Sequence, residues 1–127
     1  MRSLKMKIIG NGVDITEVKR IKHAVEKYGQ GFLERIFTDK ELHNAREHNS
    51  LYQHLAGRFA AKEAVFKAFG KAKLNFKDVQ IFNDGKGKPY CSLLKYNRDK
   101  FNIHISISHI KNYAVASAII TQETSSP

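Results

Sequence analysis

The sequence has 127 residues, a formal net charge of +10 and 42% hydrophobic residues. Eight phenylalanines and five tyrosines can fill a core, which excludes disorder as the main state of the chain. The length predicts a single domain, residues 1–127, with a polar tail that frays over residues 122–127. The excess charge predicts an anionic partner: nucleic acid, a phosphorylated ligand, an acidic protein or a membrane surface.

Cysteine content and hydropathy restrict the class of protein further. Cys91 is the only cysteine, which excludes an intramolecular disulfide and a thiolate metal cluster within one chain. The basic segment Met1–Gly10 lacks the apolar region of an export signal. No uncharged stretch approaches the ~18–20 residues that span a bilayer. We therefore expect a cytoplasmic protein without a membrane span.

The first predicted elements are a strand and a helix. Residues 7–15 have a strand pattern that is interrupted by glycine, with Asp14 between two apolar residues. Thr16 is a predicted N-cap for the helix that follows, whose apolar residues recur at helical spacing from Val18 to Tyr28. Gly29 and Gly31 are expected to end this helix.

Two further helices are predicted before the middle of the chain. Thr38 followed by Glu41 has the spacing of a capping box, which predicts a helix that begins there. Residues 52–70 give the strongest helix prediction, because this segment is rich in alanine, lacks proline and ends at Gly70.

The second half of the chain has the pattern of antiparallel strands. Residues 79–82 and 90–94 are predicted to pair across the turn-rich loop 83–89. A second hairpin is predicted from the alternating isoleucines of residues 103–107 and the apolar run 113–120. Helices first and antiparallel strands later predict an α+β fold with helices packed on an antiparallel sheet.

Glu63 is the only acidic residue between Glu47 and Asp78, and it has Lys67 one helical turn ahead. It has two interpretations on this basis. The first is an ordinary i,i+4 ion pair, worth only ~0.2–0.5 kcal/mol. The second is a carboxylate that binds Mg²⁺ beside a lysine that neutralises the same phosphate.

Asp14, the loop 83–89 and His109 likewise have a structural and a functional interpretation. Asp14 is either a turn or N-cap residue or a second metal ligand. The loop is either a solvated hairpin turn or a phosphate-binding turn reinforced by Lys86 and Lys88. His109, at the end of a predicted strand, is either a hydrogen-bonded structural residue or part of a site.

Four segments together resemble one family. Residues 12–21 (GVDITEVKRI) and 58–70 (RFAAKEAVFKAFG) closely resemble the two signature blocks of the holo-acyl-carrier-protein synthases, small bacterial members of the 4′-phosphopantetheinyl transferase superfamily. Residues 79–89 (VQIFNDGKGKP) and 105–120 (ISISHIKNYAVASAII) resemble two further blocks of that family. The resemblance covers most of the chain, in the order of the family and at its usual length.

The resemblance implies an activity and a catalytic site. The family transfers 4′-phosphopantetheine from coenzyme A to a serine of apo acyl carrier protein, in fatty acid biosynthesis, and releases adenosine 3′,5′-bisphosphate. By this likeness Asp14 and Glu63 bind Mg²⁺ together with the pyrophosphate of coenzyme A, and Lys67 contacts the phosphates. Glu63 is also a candidate general base, directly or through a water molecule.

The resemblance also implies binding sites for two partners. Family members place coenzyme A in a cleft between neighbouring subunits of a homotrimer, and five positions match the nucleotide end of that cleft: Arg58, Gly87, Lys88, Pro89 and His109. Arg20, with Lys19 and Lys22, matches a basic region that docks the acidic helix of the carrier protein. Residues 71–75 (KAKLN) depart from the glycine- or hydroxyl-rich link of the family, and we assign them no contact.

Two other functions fit parts of the sequence. A non-enzymatic basic module for RNA or DNA explains the net charge but not Glu63 among lysines, and the sequence has no strand of exposed aromatic residues for base stacking. A catalytically inert partner of a synthase complex also fits the charge. The retention of every matching site position argues against it.

Overall fold

The computed structural model describes residues 4–70, 74–94 and 101–125, which form an α+β fold as predicted. Of the link 71–75, residues 71–73 lie outside these ranges. The elements in chain order are β1 (Leu4–Glu17), α1 (Val18–Tyr28), α2 (Gln30–Ile36), α3 (Asp39–Arg46), α4 (Leu51–Phe69), a short 3-10 helix (Phe76–Asp78), β2 (Val79–Asn83), β3 (Pro89–Leu93), β4 (Asn102–His109) and β5 (Tyr113–Ser125).

The strands form two antiparallel sheets in the described ranges. One has the order β1-β5-β4, and the other is the β2–β3 hairpin. Both predicted hairpins are therefore confirmed. Strand β5 continues through residues 122–125, which we expected to fray, because β1 extends back to Leu4 and offers a pairing partner as far as Ser125. Residues 126 and 127 lie outside the described ranges.

Two local predictions for the first helices are wrong. Thr16 does not cap α1, since its hydroxyl instead donates a hydrogen bond to Asp14 Oδ2 at 3.0 Å, and Glu17 is the N-cap residue. Gly29 ends α1 as predicted, with φ +61°, but Gly31 lies inside α2. The hydroxyl of Thr16 bonds to the carboxylate two residues earlier in the chain, and the capping pattern does not reveal this alternative partner.

Helix α4 lies across the three-stranded sheet and forms the centre of the main core. Four of its alanines (Ala60, Ala61, Ala64 and Ala68) pack with the inward-facing residues of β5 (Ala116, Ala118 and Ile120). Small side chains on both elements let helix and sheet approach closely. Within the described ranges, no helix is both long and apolar enough to cross a membrane.

The contact between β1 and α4 requires two glycines. A Cβ atom on Gly10 would lie 1.8 Å from the carbonyl oxygen of Ala68, and one on Gly12 would lie 2.2 Å from that of Ala64. Both distances are far shorter than any real Cβ contact, so the backbone of β1 rests directly on the backbone of α4. This contact sets how close the residues after Gly12 come to the helix.

A buried ion pair joins α4 to the rest of the helical layer. Lys62 is fully buried, and its ammonium lies 2.6 Å from Glu41 Oε1 and within hydrogen-bond distance of the carbonyl oxygens of Ile36 (2.9 Å), Phe76 (2.9 Å) and Val79 (2.8 Å). Burial lowers the pKa of Lys62, and the charge of Glu41 opposes this effect.

Glu41 accepts hydrogen bonds from two other parts of the fold as well. Its Oε1 accepts the backbone N–H of Thr38 at 2.8 Å, which completes the capping box that the sequence predicts. Its Oε2 accepts the N–H of Ile81 at 2.7 Å. One carboxylate therefore holds the start of α3, the side chain of Lys62 and strand β2 together.

Replacing Gly12 by alanine tests the backbone contact. We expect Gly12→Ala to lower the free energy of unfolding by about 1–3 kcal/mol, because the added methyl group forces β1 away from Ala64. Urea denaturation monitored by circular dichroism measures this change.

Gly85→Ala is the matched control. A Cβ atom on Gly85 would meet nothing within 4 Å, so we expect a change within about 0.5 kcal/mol. Equal denaturation midpoints for the two variants would show that β1 can move off α4 at no cost.

Candidate active site

Asp14 and Glu63 face one cavity between β1, α1 and α4. This cavity, which we call the carboxylate pocket, has a volume of about 370 Å³ and is also lined by Thr16, Arg20 and Phe59. The sequence predicts the two carboxylates as a pair, and the contact of Gly10 and Gly12 with α4 explains their proximity. Arg20 brings a positive charge to the same pocket.

Lys67 links α4 to β1 at the edge of this pocket. Its ammonium donates hydrogen bonds to Val13 O at 3.0 Å and to Asp14 Oδ1 at 3.2 Å. Its side chain is 54% exposed, whereas that of Asp14 is 17% exposed. Lys67 therefore orients the carboxylate and still presents a positive charge to solvent, where an anionic ligand can reach it.

Glu63 lies in a less favourable electrostatic environment. Burial raises its pKa, the charge of Asp14 raises it further, and the charge of Lys67 opposes both effects. The ionised form of Glu63 is therefore destabilised by a like charge that shares its pocket. A bound cation would relieve this repulsion.

The pocket can hold a hard divalent cation only with additional ligands. Two carboxylates supply oxygen donors, which Mg²⁺ prefers. Within the described ranges, no group of three or more His, Cys, Asp or Glu side chains could hold a metal ion. The remaining ligands would have to be water and substrate oxygens, as is usual for Mg²⁺ at phosphate-binding sites.

A second cavity brings together four of the residues predicted for nucleotide binding. It has a volume of about 130 Å³ and lies between α4, the loop before β3 and the end of β4. Its lining includes Arg58, Gly87, Pro89 and His109, and we call it the arginine pocket.

Arg58 is almost completely buried in this pocket, and two hydrogen bonds hold its guanidinium. It donates hydrogen bonds to the carbonyl oxygen of His54 at 3.2 Å and to Asn44 Oδ1 on α3. Its Nε is buried and has no hydrogen-bond partner in the described part of the chain. Burial lowers the pKa of Arg58, and Glu41 opposes this effect. The pocket thus holds a cation with an unused donor.

The loop 83–89 is closed by its own hydrogen bonds. Asp84 Oδ1 accepts the N–H groups of Lys86 at 2.8 Å and Lys88 at 2.9 Å, and the N–H of Gly87 bonds to the carbonyl of Asp84 at 3.0 Å. These bonds lower the pKa of Asp84. The amides of residues 86–88 are therefore occupied within the loop, which favours the hairpin-turn interpretation over a backbone phosphate cradle.

Lys88 does not line the arginine pocket. Its ammonium lies over the ring of Tyr90, 5.6 Å from the ring centroid. Contact between Lys88 and a nucleotide stays a prediction.

Sequence analysis missed two histidines beside the arginine pocket. The rings of His48 and His54 stack with centroids 3.9 Å apart, and His54 meets His109 edge-on at 5.4 Å. The available signal was the position of His54 four residues before Arg58, which places both on one face of α4.

The basic residues of α1 form a groove of their own. Lys19 and Arg20 line a cavity of about 430 Å³ together with His23, Lys27 and Tyr28. Arg20 also lines the carboxylate pocket, so the groove and the pocket are neighbours on α1. Lys22 lies outside the groove, with its ammonium 5.9 Å from the centroid of the Tyr52 ring.

The carboxylate pocket and the arginine pocket are separate in one chain. They share no lining residue. Arg58 and Glu63 are five residues apart on α4, which corresponds to about 140° around the helix axis. One ligand that reaches both pockets would therefore have to extend around the helix or bind across two copies of the chain.

Comparison with known proteins identifies the family. Residues 10–118 match the model of the 4′-phosphopantetheinyl transferase superfamily. The chain is 46% identical to the holo-[acyl-carrier-protein] synthase of Thermodesulfovibrio yellowstonii, over 90% of this chain and 99% of that protein. It is 42% identical to the synthase of Clostridium tetani, over 91% and 98% of the respective chains.

Solved structures give the same result. The holo-(acyl-carrier-protein) synthase of Bacillus anthracis in complex with CoA (3′,5′-ADP) superimposes with a TM-score of 0.79 at 37% identity, over 93% of this chain and 99% of that one. The synthase of Helicobacter pylori in complex with coenzyme A has a TM-score of 0.78 at 30% identity, over 87% and 98%.

Two substitutions should move the pKa of Glu63 in opposite directions. We expect Asp14→Asn to lower it, because a like charge is removed, and Lys67→Met to raise it, because an opposite charge is removed. Carboxyl ¹³C NMR titration of the free protein measures both shifts.

The contribution of burial gives this titration an internal control. In Asp14→Asn the pKa of Glu63 should fall but stay above its ordinary value, since burial is the larger cause of the shift. Shifts of the same sign in both variants would mean that the three groups do not interact as their positions indicate.

Proposed function

The chain belongs to the 4′-phosphopantetheinyl transferase superfamily, and from this membership we infer that it is a holo-[acyl-carrier-protein] synthase. It transfers 4′-phosphopantetheine from coenzyme A to a serine of apo acyl carrier protein. The serine oxygen forms a bond to the β-phosphorus of the pyrophosphate, the bond from this phosphorus to the bridging oxygen breaks, and adenosine 3′,5′-bisphosphate leaves. The observation that carries this inference is that Asp14 and Glu63 line one pocket and that the ammonium of Lys67 lies 3.2 Å from Asp14 Oδ1.

Asp14 and Glu63 fit a magnesium ion at this site. Both present oxygen donors to one pocket, and a cation would remove the repulsion from Asp14 that adds to the effect of burial on the pKa of Glu63. Bound there with the pyrophosphate, Mg²⁺ would neutralise the charge that develops on the leaving group. Its involvement is part of the proposal.

The remaining roles belong to the side chains. Lys67 neutralises the phosphates, for which its half-exposed ammonium is suited. Glu63 is also proposed to accept the serine proton, directly or through a water molecule. Positioning and charge neutralisation are most of what phosphoryl transfer requires.

The arginine pocket is the proposed site for the nucleotide end of coenzyme A. Arg58 supplies a buried positive charge with an unused Nε donor, which suits a phosphate oxygen. Gly87, Pro89 and His109 form neighbouring parts of its wall. Lys88, at the rim of this loop, is proposed to add charge near the ligand.

A homotrimer with shared sites would join the two pockets. The outer face of the three-stranded sheet, opposite α4, exposes Val13 (59%), Ile15 (66%), Tyr113 (44%), Val115 (39%) and Ile119 (42%). Such a group of exposed apolar side chains favours burial against another copy. We propose that the carboxylate pocket of one subunit and the arginine pocket of its neighbour bind the same coenzyme A molecule.

The basic groove of α1 is the proposed docking site for the carrier protein. Lys19 and Arg20 line the groove, and Lys22 lies on the same helix. The groove is next to the carboxylate pocket, because Arg20 lines both. An acidic helix bound here would bring its serine toward the catalytic carboxylates. Charges at such a rim mainly increase the association rate. Family membership also supports a place in fatty acid biosynthesis and a cytoplasmic location.

A mass-shift assay tests the transferase and its carboxylates. Wild-type protein with Mg²⁺, coenzyme A and apo acyl carrier protein should add ~340 Da to the carrier, the mass of the transferred group. Asp14→Ala and Glu63→Ala should each reduce the rate at least about 100-fold. EDTA should abolish the reaction, and excess Mg²⁺ should restore it.

Arg20→Glu separates carrier docking from the catalytic step in this assay, since it reverses one charge but keeps both carboxylates. It should weaken carrier binding in a salt-sensitive manner and leave coenzyme A affinity little changed. No mass gain with the wild-type protein would refute the transferase, and wild-type rates in either alanine variant would refute the catalytic assignment.

Subunit mixing tests the shared site. Asp14→Ala and Arg58→Ala homotrimers should each be impaired. After dissociation and reassembly of an equal mixture, about a quarter of the sites should contain both intact pockets, and activity should return in that proportion. If both pockets of a site came from one subunit, no intact site could form, and activity would not return. His109→Ala can replace Arg58→Ala if loss of the buried arginine prevents folding.

A further inference from the structure

Three histidine rings form a continuous aromatic row at the arginine pocket. The rings of His48 and His54 are nearly parallel, with 17° between their planes, and His54 meets His109 at 64°. His54 and His109 line the pocket, while His48 lies behind His54. His54 is thus the central ring and the only one in contact with both others.

His54 is also joined to Arg58 through its backbone. Its carbonyl oxygen accepts a hydrogen bond from Arg58, and Asn44 accepts the other bond of the guanidinium. The two groups that the proposed function assigns to the nucleotide, Arg58 and His109, therefore both contact His54. No residue of the carboxylate pocket lines this cavity.

The environment keeps the His54 ring uncharged. Burial, followed by the neighbouring His48, Arg58 and His109, together lower its pKa to about 4. A neutral ring can stack on a second ring without repulsion, and it adds no cation to a pocket that already holds a buried arginine. At neutral pH its contribution is therefore that of a flat aromatic surface.

We propose that His54 is a positioning residue for the nucleotide of coenzyme A, whose ring holds the His109 ring in the orientation that binds this ligand beside Arg58. This proposal rests on the proposed function for the identity of the ligand. It assigns His54 no part in the transfer step. The relevant property is the aromatic ring. Phenylalanine at position 54 should therefore preserve coenzyme A binding, and alanine should weaken it.

Kinetic measurements on three variants test this role. His54→Ala should raise the KM for coenzyme A about tenfold, while kcat and the KM for the carrier protein stay within about twofold of wild type. His54→Phe should keep the KM for coenzyme A within about threefold. His43→Ala is the matched control, because this histidine is 82% exposed and lies away from the arginine pocket, and it should behave as wild type.

Binding measured without the carrier protein separates this proposal from the transferase assignment. Calorimetric titration of each variant with coenzyme A, and with adenosine 3′,5′-bisphosphate alone, should show the same fold loss of affinity for both ligands in His54→Ala. Scaling each titration to the fraction of folded protein removes the effect of any change in folding stability. These titrations need no transfer activity, so a wild-type protein that fails to modify the carrier would refute only the proposed function.

Three results would overturn the role of His54. The first is an unchanged affinity for both ligands in His54→Ala. The second is an equal loss in His54→Phe, since an imidazole nitrogen rather than an aromatic surface would then be required. The third is a fall in kcat at saturating coenzyme A without a rise in KM, which would connect His54 to the chemical step.

Discussion

The ion pair of Lys62 and Glu41 is the contact on which both pockets depend. It ties α4 to the end of α2, the start of α3, the 3-10 helix and strand β2. Asn44, which holds Arg58, lies on α3, and Ile81 and Asn83 of β2 line the arginine pocket. Removing one partner of such a pair leaves a buried charge without compensation, which typically costs 3–5 kcal/mol. Glu63 directly follows Lys62, so the same pair fixes the rotation of α4 at Glu63.

The net charge of +10 divides between interior and surface once these contacts are known. Lys62 and Arg58 are buried, and each has a defined structural partner. Much of the remaining positive charge near the pockets lies on the surface of α1, where an acidic protein would bind. The rest of it includes Lys67, where a phosphate would bind. Two anionic partners of different size therefore account for a charge that composition alone could have assigned to nucleic acid.

The sequence predicted elements better than it predicted contacts between them. The capping box of Thr38 and Glu41 follows from local spacing, but that explanation left no reason to connect Glu41 with Lys62. Asp14 and Glu63 were identified by their motifs, whereas their proximity depends on a long-range contact that glycine permits. His54 was overlooked because its position one turn before Arg58 is a weak signal by itself. Its role depends on rings from two other segments, and no spacing rule relates these segments.

The pairing of β1 with β5 has a consequence for how the protein is made. Leu4 lies opposite Ser125, and Asp14 lies opposite Ala116, so the first strand of the chain is completed by the last. Such contacts between distant parts of a chain are slow to form, because the closure of a long loop must precede them. During synthesis the N-terminal strand has no partner until the C-terminal strand has left the ribosome. The sheet that contains Asp14 is therefore complete only after β5 has been synthesised, and until then the apolar residues of β1 lack their strand partner.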